Sequence, residues 1–106
     1  MIKEITVTEL KQMIDEGVDY QLIDVREPYE RDIANIGGEN IPLGQIQLIK
    51  DSIQKDKKVV IYCRSGSRSG SVVSSLQNEL GIDNLYNLKG GILAWSDEID
   101  ASIQKY

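Results

Sequence analysis

The chain has 106 residues, 41% of them hydrophobic, with 12 basic and 17 acidic side chains, a net charge of −5 and no histidine. That length fits one domain with one core, and the hydrophobic share excludes a disordered chain. The negative balance argues against nucleic acid or an anionic membrane surface as the main partner, and a lone cysteine excludes an internal disulfide.

Along the chain, Glu4-Ile5-Thr6-Val7 alternates and is rich in β-branched residues, which predicts a short strand. Thr8 is then the expected cap of a helix from Glu9 to Glu16, with Leu10, Met13 and Ile14 on one face and Gly17 as its terminator. Tyr20 to Val25 predicts a second strand, whose near-continuous apolar middle suits burial on both faces of a parallel sheet. Pro28 belongs in the first turn of a short helix ending near Ile33. Gly37-Gly38 breaks the chain, and Asn40 to Leu43 reads as a brief strand or extended link. From Gly44 to Gln54, Ile46, Leu48, Ile49 and Ile53 suggest another helix. Val59 to Cys63 is the clearest central strand. A helix from about Arg68 to Leu80 follows, with Val72, Val73, Leu76 and Leu80 as its apolar face and Gly81 as its stop. Asn84 to Leu88 predicts a last strand. Gly90-Gly91 then turns into a closing helix from Ile92 to Ile99, with Ile92, Leu93, Trp95 and Ile99 inward. The alternation of strands and helices predicts a single α/β domain over residues 1–106 with a mostly parallel sheet.

Ligands of open parallel sheets bind beyond the carboxyl ends of the strands. Cys63 falls at such an end, and so do Asp24, Val25 and Arg26 on a neighbouring strand. After Cys63 comes a loop of small and basic residues, Arg64-Ser65-Gly66-Ser67-Arg68-Ser69, and then a helix. Backbone amides, a helix N-terminus and two guanidinium groups would each lower the thiol pKa there. A nucleophile so activated needs no separate base, which matters in a chain without histidine. Gly66 permits tight curvature, and the three serines are small enough to leave the cup open, with hydroxyls able to donate to sulfur. Asp24 and Arg26 are read as an ion pair supporting the loop rather than as catalysts. Gly90 and Gly91 are a turn on which the loop can pack, and Trp95 belongs to the core. One cysteine and no histidine disfavour a metal, and no cofactor is called for.

Four motifs in order make the chain resemble the rhodanese family of sulfurtransferases, in particular its small single-domain members. They are Leu22-Ile-Asp-Val-Arg-Glu-Pro-Tyr-Glu30, Asn40-Ile-Pro-Leu43, Val60-Ile-Tyr-Cys-Arg-Ser-Gly-Ser-Arg-Ser69 and Leu88-Lys-Gly-Gly-Ile-Leu-Ala-Trp95. The resemblance implies a parallel sheet of about five strands flanked by helices, and transfer of a sulfane sulfur through a persulfide on Cys63. It implies that Arg64, Ser65, Gly66, Ser67, Arg68 and Ser69 form the donor-binding loop. Donors would be thiosulfate or a persulfide, and acceptors cyanide or a thiol, with a thioredoxin-like or sulfur-relay protein as a further partner. Asn35 stands where many members carry a histidine that is not the nucleophile, which bears on substrate choice or local packing.

Two other classes compete. A phosphatase or arsenate reductase of the same general fold has Cys-x5-Arg, whereas Cys63 and Arg68 are spaced Cys-x4-Arg, a tighter ring suited to one sulfur. A binding or regulatory module that keeps the fold without turnover would commonly have lost the cysteine. The start of the chain has no apolar signal segment, and no apolar run approaches the ~18–20 residues of a membrane span. The expected compartment is the reducing cytoplasm.

Overall fold

The computed structural model describes all residues, 1–106. Five strands, β1 (Lys3–Ile5), β2 (Tyr20–Asp24), β3 (Glu39–Asn40), β4 (Lys58–Tyr62) and β5 (Leu85–Leu88), form one sheet in the order β1-β5-β4-β2-β3. Every pairing is parallel. Five α-helices flank it: α1 (Val7–Asp15), α2 (Pro28–Ile33), α3 (Ile46–Ser52), α4 (Ser67–Leu80) and α5 (Gly91–Glu98). A 3-10 turn at Leu43–Gln45 leads into α3.

The core has two halves, one on each face of the sheet. Successive side chains of a strand point to opposite faces. Val59 and Ile61 of β4, followed by Cys63, therefore join Ile49, Val72, Val73 and Leu76 of α3 and α4. Val60 and Tyr62 join Val7, Leu10, Met13, Ile92 and Trp95 of α1 and α5. Because both faces are covered, β4 is buried at every position from Val59 to Tyr62 and shows no polar alternation there. β4 is paired on both edges, so Cys63 emerges at the middle of the carboxyl end of the sheet, between β2 and β5.

Some boundaries differ from expectation. α1 begins at Val7 and is capped by Thr6, not Thr8. Thr6 and Glu9 form a reciprocal capping box, with Glu9 N–H donating to Thr6 Oγ1 at 3.1 Å and Thr6 N–H to Glu9 Oε1 at 2.9 Å. Val7 thereby leaves the expected strand and enters the core from a helix, while Ile14 is 40% exposed. The helix expected over Gly44 to Gln54 is shorter, and of its apolar residues Ile49 and Ile53 are buried while Leu48 is 52% exposed. β4 ends at Tyr62, which leaves Cys63 as the first residue of the loop. No helix is long and apolar enough to cross a membrane.

Candidate active site

Cys63 is 1% exposed and lies between the end of β4 and the start of α4. The chain bends at Gly66, whose φ of +102° lies in the left-handed region, and Gly66 is the N-cap of α4. This bend aims main-chain donors at the sulfur. The N–H of Gly66 lies 3.2 Å and that of Ser69 3.4 Å from Cys63 Sγ, and Ser69 Oγ is 3.3 Å away. The positive end of the 14-residue α4 backs the same point.

The other side of the loop explains why its amides face inward. The carbonyl oxygen of Cys63 accepts from the Ile92 N–H at 3.0 Å, and that of Arg64 from the Leu93 N–H at 3.1 Å. These are first-turn N–H groups of α5, which have no partner within their own helix. They hold the loop carbonyls outward and so leave the loop N–H groups facing the sulfur. Gly91 makes the contact possible, because a Cβ there would lie 2.5 Å from both carbonyl oxygens. Burial pushes the Cys63 thiol up, but its contacts with Ser69, Gly66 and Ser65 outweigh burial and set it below the ordinary thiol value.

The two loop arginines are already engaged. Arg68 forms a two-pronged pair with the buried carboxylate of Glu30, at 2.6 and 2.8 Å. Arg68 holds Glu30 far below the usual carboxylate range, at about 2, against the opposing effect of burial and with help from the Tyr106 hydroxyl. Arg64 is exposed, donates to the main-chain oxygen of Tyr106 and lies over the Tyr106 ring, 5.2 Å from its centre.

Asp24 and Arg26 form a fully buried pair, with Nε and Nη2 of Arg26 each 2.9 Å from a carboxylate oxygen of Asp24. The remaining N–H groups of Arg26 meet the Glu30 and Ala34 carbonyls and the Tyr106 hydroxyl. All five donors of the guanidinium are thus accounted for, which leaves none for a substrate. The pair ties the end of β2 to α2 and to the strand beside the loop, and Tyr62 adds its hydroxyl 3.2 Å from Asp24.

Of the loop serines, Ser69 brings its hydroxyl to the sulfur, while Ser65 and Ser67 are exposed. Asn35 is exposed and closes a local turn by accepting from the Gly37 N–H at 3.0 Å. Three residues at the site escaped the sequence reasoning: Glu30, Asn87 and Tyr106. Glu30 lay inside a motif already singled out, and Asn87 is a polar residue in the otherwise apolar run of β5. Tyr106 carried no local signal. The surface cavities lie elsewhere, and none is lined by Cys63 or residues 64–69.

Comparison with known proteins bears on the family and the fold. The family model described as rhodanese-like domain matches residues 6–98. A sulfurtransferase of Allochromatium vinosum is 37% identical over 97 residues, covering 91% of this chain and 90% of that protein. The uncharacterized protein YqhL of Bacillus subtilis is 45% identical over 82 residues, 76% of this chain. The chain spans 64% of the length of YqhL, and 38% and 26% of two longer curated relatives. Among solved structures, a rhodanese-like domain protein from Staphylococcus aureus superposes with a TM-score of 0.81 at 33% identity, covering 99% of each chain. With its parallel sheet, its cysteine at the end of β4 and a family model matched over residues 6–98, the chain belongs to the rhodanese-like domain family.

Proposed function

We propose that the protein is a sulfurtransferase that carries sulfane sulfur as a persulfide on Cys63. The observation that supports this best is the ring of main-chain donors at 3.2 and 3.4 Å around a buried sulfur, in a chain with no histidine to act as base. In the first step the Cys63 thiolate attacks the outer sulfur of a donor. A new S–S bond forms, the donor's own bond to that sulfur breaks, and its electron pair leaves with the departing group, sulfite if the donor is thiosulfate. In the second step cyanide or a thiolate attacks the terminal sulfur of the persulfide and the Cys63 thiolate departs. Each step gathers negative charge on sulfur, where donors fixed in advance stabilise it without rearrangement.

Thiosulfate and low-molecular-weight or protein persulfides are the donor classes, and a thioredoxin-like thiol or a sulfur-relay protein is a fitting acceptor in a reducing cytoplasm. Arg64, once it lets go of Tyr106, is the guanidinium available to an anionic donor. Arg68 stays in its pair with Glu30 and orders the loop. The same pair speaks against phosphate-ester chemistry, since Glu30 at about 2 holds no proton at neutral pH to give a leaving group. The donors aimed at the sulfur favour turnover over a non-catalytic module.

The test is intact mass after brief incubation with thiosulfate, or with glutathione persulfide as a second donor. Wild type gains one sulfur, about +32 Da, reversed by cyanide. Cys63→Ser gains none. Full sulfur transfer by Cys63→Ser would end the proposal, and so would the absence of a cyanide-reversible adduct with both donors.

A further inference from the structure

Asn87 lies within β5, 3% exposed, and its side chain makes three contacts. Nδ2 is 3.1 Å from the Gly66 carbonyl oxygen and 3.2 Å from Glu4 Oε2, and Oδ1 is 2.5 Å from Ser69 Oγ. A peptide carbonyl and a carboxylate accept and do not donate, so the amide is fixed with its nitrogen toward Gly66 and Glu4. Turning it over would set Oδ1 against both. With Oδ1 facing Ser69, a contact of 2.5 Å requires the proton of the Ser69 hydroxyl.

That hydroxyl has one proton, and Asn87 holds it. Ser69 Oγ therefore turns a lone pair toward Cys63 Sγ, 3.3 Å away. A lone pair accepts from a thiol S–H and repels a thiolate. The N–H groups of Gly66 and Ser69 favour the thiolate, and so does the Ser69 hydroxyl when it turns its proton to the sulfur; held by Asn87 it favours the thiol instead. When Cys63 loses its proton to solvent, the hydroxyl must rotate onto the sulfur, and Asn87 Oδ1 is left without a donor in a buried site.

We infer that Asn87 is a positioning residue that, by holding the Ser69 hydroxyl proton, tempers the stabilisation the loop amides give the Cys63 thiolate. This rests on the reading of Cys63 as the nucleophile. The bond from Asn87 Nδ2 to the Gly66 carbonyl fixes which way the amide faces, and so which atom meets Ser69.

The test is the pH dependence of iodoacetamide alkylation of Cys63 in wild type, Asn87→Ala, Ser69→Ala and the double variant, each with a melting curve. Asn87→Ala is expected to lower the alkylation midpoint and raise the rate below it by about three- to ten-fold. In the Ser69→Ala background the same change should leave the midpoint where it was. An equal shift in both backgrounds, no shift, or a raised midpoint in Asn87→Ala would overturn the inference, since a simple loop clamp predicts those results. If Asn87→Ala does not fold, Ser69→Ala decides alone. A midpoint unmoved or lowered is expected, and a raised one, the mark of a hydroxyl already donating to the thiolate, overturns the inference. Alkylation needs no sulfur donor. Lost coupling would leave the persulfide proposal standing, and an absent persulfide would leave the coupling standing.

Discussion

Gly91 carries more of the site than its size suggests. Its φ is +59°, and a Cβ would come within 2.5 Å of the carbonyl oxygens of Cys63 and Arg64. Both are main-chain atoms of the loop that holds the Cys63 sulfur, so no flexible side chain can give way. Gly91→Ala should cost about 2 kcal/mol or more, through strain and through displacement of the loop. For a domain of this size that lowers the melting temperature by roughly 10 °C. Cys63 alkylation near neutral pH should slow as well, because the loop carbonyls lose their anchor. An unchanged melting temperature would show that the loop and α5 do not depend on this contact. At this scale the loop residues were legible, since a cysteine followed by Gly, Ser and Arg after an apolar strand is a local pattern. Asn87 was not, because its meaning comes from Ser69 and Gly66, about 20 residues earlier in the chain.

Among the elements, α1 shows what periodicity reads well and what it reads badly. The apolar spacing announced the helix, but Thr6 and Val7 are β-branched and were assigned to the strand before it. The capping box from Thr6 to Glu9 decides otherwise, since it satisfies two main-chain N–H groups that the strand reading leaves open. Thr6→Ala should cost about 1 kcal/mol, seen as a lower urea midpoint with an unchanged slope, and Thr8→Ala should cost far less. Equal losses at the two positions would refute the assignment. Cys63 reactivity should be untouched by either, since neither threonine is among the groups that contact the sulfur. The overlong reading of α3 has a similar cause. Its isoleucines and leucine have helical spacing, yet at seven residues the helix buries one of them, Ile49.

Across the whole molecule, Glu30 joins parts distant in sequence. It binds Arg68 at the start of α4 and accepts from the Tyr106 hydroxyl at 2.7 Å, across 76 positions. The chain's alternating pattern announced a parallel α/β sheet, but no local pattern encodes a contact of that separation, and the strand order likewise depends on crossovers that periodicity does not reveal. The network has an acid signature. Glu30 is depressed from its usual 4.5 to about 2, so the stability it contributes is present above 4.5 and is lost as pH falls toward 2. Arg68→Ala removes the main cause of that depression and leaves a buried carboxylate unpaired. The variant should be less stable at pH 7, and its acid unfolding, followed by circular dichroism, should begin at a higher pH than in wild type. Coincident acid transitions would show that the pair does not couple protonation to folding.

The bonds from Ile92 and Leu93 to the carbonyls of Cys63 and Arg64 also bear on when the thiol becomes reactive. During synthesis Cys63 joins the chain before any residue of α5. Until α5 docks, nothing turns the loop carbonyls outward, and the sulfur is an ordinary thiol with little nucleophilic character at neutral pH. Activation of the thiol is thus tied to the docking of α5, which spares a half-made molecule from reacting with electrophiles through an activated cysteine.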